Sequence, residues 1–249
     1  MIIVGKNGYS IPCEMSIPKG VKTIVVAMHG FCGDKESSCI KLLEERVGEI
    51  GVGLVRFDWP GHGESEVDGF SFRVENCIKD LEAVVEYLKE RYPEADLVAF
   101  ATSFGGYVTL LYNYYHRDDF RYIILRSPAI QMCKVVYDSI INPDIREELD
   151  EKGYFVYGFE RKMEITNEFL DDLKKYDVLD LYGEERLENV SIIHGTADDL
   201  VPFGDSEEFA REHGCRLYPV EGADHRYKKE GELEKVMVIA LDLLRELDG

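Results

Sequence analysis

The chain has 249 residues and a formal net charge of −20, with 45% hydrophobic and 31% charged residues. That length suits one globular domain with a modest insertion and is short for two independent domains. The negative charge repels phosphate backbones and anionic membrane surfaces, which excludes nucleic acid as an expected partner.

Short apolar runs alternate with amphipathic stretches, the pattern of a mostly parallel sheet covered by helices on both faces. Met1 to Val4 and Tyr9 to Ile17 read as an opening hairpin turned at Asn7-Gly8. Thr23 to Met28 is a buried strand, Lys35 to Ile50 a helix, and Gly53 to Phe57 the next strand. A helix from about Phe72 to Tyr92 carries Ile78, Leu81, Val84, Val85 and Leu88 at helical spacing and ends at Pro93. Asp96 to Ala101 is a strand, Phe104 to His116 a helix, and Tyr122 to Leu125 a strand. Ser191 to His194 and Arg216 to Val220 complete a predicted eight-stranded sheet, with a helix near Ser206 to His213 between them and an amphipathic helix at the C-terminus.

The segment 129–188 breaks this rhythm. It shows no strand-length apolar run at the usual spacing and is rich in aromatic and charged residues, including Tyr137, Tyr154, Phe155, Tyr157 and Phe159. It reads as a small cap inserted into the single domain, because long insertions in compact domains are usually functional. The alternative is a longer helical crossover with no role in binding.

Four local patterns carry chemistry, each following a predicted strand. Ala101-Thr102-Ser103-Phe104-Gly105-Gly106 places a serine between a strand and a helix, where a tight turn lifts the hydroxyl out of the sheet. His29-Gly30-Phe31-Cys32-Gly33 follows the first buried strand. In acyl transfer such a loop supplies one oxyanion donor, and the residue after the nucleophile supplies the other. The backbone N–H groups of Phe31 and Phe104 are therefore the expected donors, with His29 holding the loop. His194-Gly195-Thr196-Ala197-Asp198-Asp199 supplies a carboxylate past a strand end, Asp198 in preference to Asp199. Glu221-Gly222-Ala223-Asp224-His225 supplies a histidine. Of the other histidines weighed as a base, His116 and His213 sit at predicted helix ends, and His62 in a glycine turn. A serine hydroxyl needs an imidazole to take its proton and a carboxylate to orient that imidazole. Ser103, Asp198 and His225 are thus the expected nucleophile, orienting acid and general base.

These patterns, in the order serine, acid, histidine, resemble the α/β-hydrolase superfamily over nearly the whole chain. Asp58-Trp59-Pro60-Gly61-His62-Gly63-Glu64-Ser65 is similar to a structural turn of its lipase- and esterase-like members. Ala101 stands where the commonest pattern has glycine. The oxyanion loop, the short cap and the final Gly-Ala-Asp-His are similar to bacterial cinnamoyl and feruloyl esterases and to the monoacylglycerol-lipase and serine-aminopeptidase-like group. The resemblance implies an acyl-serine intermediate, no cofactor, and a pocket between sheet and cap.

The expected function is hydrolysis of small or aromatic carboxylic esters. One alternative is a peptidase or amidase using Glu160 or Glu164 to hold a substrate amine, and another is a non-catalytic binding module. No metal site is expected, since the cysteines at 13, 32, 39, 77, 133 and 215 form no Cys-x-x-Cys pair or zinc-finger cluster. Reduced thiols and no predicted export signal or membrane anchor make a cytoplasmic protein the expectation. A small-molecule ester is the expected partner, and monomer and homodimer both stay open.

Overall fold

The two faces of the sheet are written into its strands, where successive residues point to opposite sides. In the computed structural model, which describes residues 2–158 and 161–248, the central strands are β3 (Thr23–Met28), β5 (Asp96–Thr102) and β6 (Tyr122–Arg126). Val25, Val98 and Ile124 join one core, while Val26, Ala99 and Ile123 join the other. The first core is closed by α1 (Ser38–Glu49) and α9 (Glu232–Asp248). The second lies under α2 (Val74–Arg91) and α3 (Phe104–Tyr115). Such continuous burial requires cover on both faces, which is why these strands read as unbroken apolar runs.

The remaining strands are β1 (Ile2–Val4), β2 (Ser10–Ser16), β4 (Gly53–Phe57), β9 (Val190–Gly195) and β10 (Arg216–Val220). They complete an eight-stranded sheet of order β1-β2-β4-β3-β5-β6-β9-β10. β1 and β2 pair antiparallel, β2 pairs antiparallel with β4, and every other pairing is parallel. This is the α/β-hydrolase fold. From β3 the chain runs outward to β4 and then returns to β5 on the other side. The strand order therefore reverses between β3 and β5, and their C-terminal loops part there to leave a crevice.

Between β6 and β9 lie α4 (Met132–Ser139), α5 (Pro143–Lys152), β7 (Tyr154–Tyr157), β8 (Met163–Thr166), α6 (Asn167–Lys175) and α7 (Val178–Tyr182). α8 (Phe203–His213) connects β9 to β10. The antiparallel β7–β8 pair was not expected from sequence. Each strand has four residues, and in β7 only Phe155 is fully buried while Val156 is exposed, so no apolar run marks it. The opening hairpin also differs from expectation. Val4 pairs with Ser10, and Gly5 N–H donates to Tyr9 O at 2.8 Å, so the turn is a five-residue loop rather than Asn7-Gly8 alone. α1 begins three residues later than expected, because Lys35 is fixed outside it by its N–H and Nζ bonds to Asp58. All six cysteines are free. Among the described residues no helix is long and apolar enough to cross a membrane.

Candidate active site

Ser103 sits between β5 and α3 with φ of +51° and ψ of −114°, a backbone region that side-chain-bearing residues rarely occupy. Such strain costs on the order of 1–3 kcal/mol and persists only when the surroundings enforce it. Here Ser103 N–H donates to Arg126 O on β6, and Ser103 O accepts from Ala129 N–H, which ties the turn to its neighbour. A side chain at Gly105 would approach His29 O to 2.7 Å, so only glycine lets α3 come this close to the loop after β3.

The other two elements converge from β9 and β10. A Cβ at Gly195 would lie 2.3 Å from Ala223 O, so the loops past these strands can meet only with glycine there. They are joined by Ala197 N–H to Ala223 O at 3.1 Å and Gly222 N–H to Thr196 Oγ1 at 2.8 Å. His225 then stands with Nδ1 2.7 Å from Asp198 Oδ2 and Nε2 3.1 Å from Ser103 Oγ. An ionised carboxylate only accepts, so Nδ1 carries the proton and Nε2 is free to accept from the serine hydroxyl. The structure thus brings Ser103, His225 and Asp198 into one hydrogen-bonded chain, while Asp199 is not part of it.

The Asp198 side chain is fully buried and accepts four hydrogen bonds. Oδ1 takes the N–H groups of Leu200 and Val201, and Oδ2 takes His225 and also His194 Nε2 at 3.0 Å. Burial works against its charge, but the hydrogen bonds from His194 and His225 outweigh burial and hold the carboxyl well below the usual carboxylate range. Sequence reasoning assigned no role to His194. Its Nε2 faces two acceptors, Asp198 Oδ2 and Val201 O, and so carries the proton, while Nδ1 accepts from Ser206 Oγ. The signal lay in the His194-x-x-x-Asp198 spacing across the end of β9.

The loop after β3 is built on two neutral histidines. His29 Nδ1 donates to Gly30 O at 2.8 Å, and Nε2 accepts from Trp59 N–H. His62 Nδ1 donates to Pro60 O, and Nε2 accepts from Cys32 N–H at 3.1 Å. Burial lowers both, His62 to about 3, so neither is a cation near neutrality. The buried Asp58 carboxylate anchors the same turn through Lys35 and Glu64 N–H. This frame holds Phe31 beside Ser103, and the N–H groups of Phe31 and Phe104 have no acceptor among the described residues. Phe31 stacks on Tyr157 and Phe169 of the segment between β6 and β9. Arg161 of that segment, unforeseen in sequence, donates to the carbonyls of His62, Gly63, Ser65 and Val67.

Ser103 opens on two cavities. One, of about 140 Å³, is mostly apolar and lined by Met132, Val135, Ile140 and Tyr157. The other, of about 290 Å³, lies toward the start of α1. Glu164 is spent elsewhere, accepting from Gly69 N–H, and Glu160 and Phe159 fall outside the described residues. No group of three or more His, Cys, Asp or Glu is placed to hold a metal ion among the described residues.

Est1E from Butyrivibrio proteoclasticus, solved with ferulic acid bound, superposes with a TM-score of 0.81 at 23% identity, covering 98% of this chain and 99% of that one. An esterase from Pyrococcus furiosus superposes with a TM-score of 0.75 at 18% identity, covering 99% and 90%. At these identities the likeness is one of fold. The Salmonella typhimurium protein YfhR is 27% identical over 242 residues, 88% of this chain and 70% of its own length. The model of the family described as serine aminopeptidase, S33, matches residues 19–162, more than half of the chain, and the protein belongs to that family of serine α/β-hydrolases.

Proposed function

We propose that this protein is a carboxylic-ester hydrolase with Ser103 as nucleophile, His225 as general base and Asp198 as the orienting acid. The observation that carries the reading is the unbroken chain from Ser103 Oγ through His225 to Asp198 Oδ2. In acylation, Ser103 Oγ attacks the ester carbonyl and its proton passes to His225 Nε2. The oxyanion is held by the N–H groups of Phe31 and Phe104. The alkoxide leaves as an alcohol, taking the proton from His225. Water, deprotonated by the same imidazole, then cleaves the acyl-serine and restores the hydroxyl.

The segment 129–188 acts as a cap that supplies the apolar wall of the smaller cavity, suited to a short or aromatic acyl group. The bound ferulic acid of Est1E supports testing aromatic esters. The family description favours an amide reading as well. An aminopeptidase needs a carboxylate to pair with the substrate amine, and among the described residues none lines either cavity beside Ser103. The test is turnover of para-nitrophenyl acetate, methyl ferulate and aminoacyl amides by wild type and Ser103→Ala. Ester turnover above amide turnover, with a loss of at least about 10⁴-fold in the variant, is expected. Equal rates in the two proteins would remove Ser103 from the reaction, and faster amide cleavage would reverse the ester assignment.

A further inference from the structure

The larger cavity beside Ser103 is lined by arginines and by no described carboxylate, although the chain as a whole carries a charge of −20. Arg126, at the end of β6, lines it and is only 8% exposed. A guanidinium this deeply buried ordinarily has a carboxylate partner. None of the described carboxylates forms an ion pair with Arg126. Its Nη2 donates to His225 O at 2.8 Å and its Cζ lies 4.3 Å from the centre of the Tyr227 ring. Its Nε is buried with no hydrogen-bond partner among the described residues.

A second feature faces the same space. α1 starts there with Ser37, Ser38 and Cys39 on the wall. The Ser37 side chain makes no capping bond, and the first turn of α1 holds no acidic residue. The free N–H groups of such a turn, with the positive end of the helix dipole, favour a negative group. The charged side chains among the lining are Arg126 and Arg226, and no carboxylate is present among the described lining residues.

We infer that this cavity is a carboxylate subsite, so that the ester cleaved at Ser103 carries a carboxylate on one of its two halves. The inference rests on the hydrolase reading and names its substrate class. The buried Arg126 and the helix N-terminus, with Arg226 also in the lining, suit a negatively charged group. The neighbouring apolar cavity takes the uncharged half, and the scissile carbonyl lies at Ser103 where the two meet. The bond made and broken is the ester bond already described. The added carboxylate stays ionised and unreacted.

Two matched pairs of substrates decide which half bears the charge. Mono-para-nitrophenyl glutarate against para-nitrophenyl pentanoate places it on the acid, and meta-butanoyloxybenzoate against its benzamide analogue places it on the alcohol. In at least one pair the anionic ester is expected to have a kcat/KM roughly tenfold or more above the neutral one, expressed mainly in KM. Arg126→Met is expected to bring that ratio close to one, and Arg126→Lys to keep part of it. The ratio is measured on one sample and does not depend on the fraction folded. Calorimetry with glutarate and glutaramide on Ser103→Ala reads the subsite without turnover, and only glutarate is expected to bind. Neutral esters cleaved with no anionic preference, or a preference that survives Arg126→Met, would overturn the subsite and leave the hydrolase standing. Glutarate binding without turnover of any ester would sink the hydrolase reading instead.

Discussion

Asp198 and Asp80 are both buried carboxylates, one past the end of β9 and the other in α2 beneath the opening hairpin. Asp198 accepts four hydrogen bonds, two from imidazoles. Asp80 is 1% exposed, receives one side-chain bond from Tyr9 at 3.3 Å, and leaves Oδ1 with no hydrogen-bond partner among the described residues. Burial pushes Asp80 up to about 7, whereas the donors around Asp198 keep it ionised. Burial is common to both regions and the donors differ. The site end of the sheet has arranged its N–H groups around one charge, and the hairpin end tolerates an acid that is neutral below neutrality.

The largest break in this comparison is Asp198→Asn. It leaves the shape intact but removes the charge that sets the His225 tautomer, and kcat/KM should fall by about 10⁴-fold. An ester assay with a folded-state check by circular dichroism measures it.

Next is Asp80→Asn. The folded pKa lies above the usual value, so this group favours the folded state below about pH 4 and that contribution is lost as pH rises through about 7. The rise from the ordinary 3.8 to about 7 corresponds to about 4 kcal/mol. Wild type should lose stability across that window, and the Asn variant should lose much less and exceed wild type at pH 8. Urea titrations at several pH values test this. The Asp198 contribution has the opposite sign: it is present above about pH 4 and is lost on acidification, because its folded pKa is depressed.

A smaller effect follows from removing one imidazole at Asp198. His194→Phe should lower kcat/KM roughly tenfold, while His194→Gln, which keeps a donor, should recover part of the loss. The smallest is Tyr9→Phe, expected to cost about 1 kcal/mol above pH 7 and less below pH 4, where Asp80 is protonated. It should also move the Asp80 midpoint upward, seen as a shift of the stability curve.

The site end was the more legible region in sequence. Ser103, Asp198 and His225 each follow an apolar strand and sit among small residues that only tight turns need, so type and position pointed the same way. His194 and Arg126 were not legible in this sense. Each ends an apolar run; the role of His194 depends on how the chain just past β9 folds back over it, and that of Arg126 on the loop past β10. The β7–β8 hairpin was hidden because alternating burial over four residues leaves too short a pattern. Asp80 lay on the predicted α2 among charged residues, and nothing local marks it as facing inward.

The most direct test is labelling of the folded protein with a fluorophosphonate, followed by peptide mapping. A single modification on Ser103, abolished by heat denaturation and slowed strongly in Asp198→Asn, is predicted. Absence of labelling in folded wild type, or a label that maps to another residue, would contradict the account.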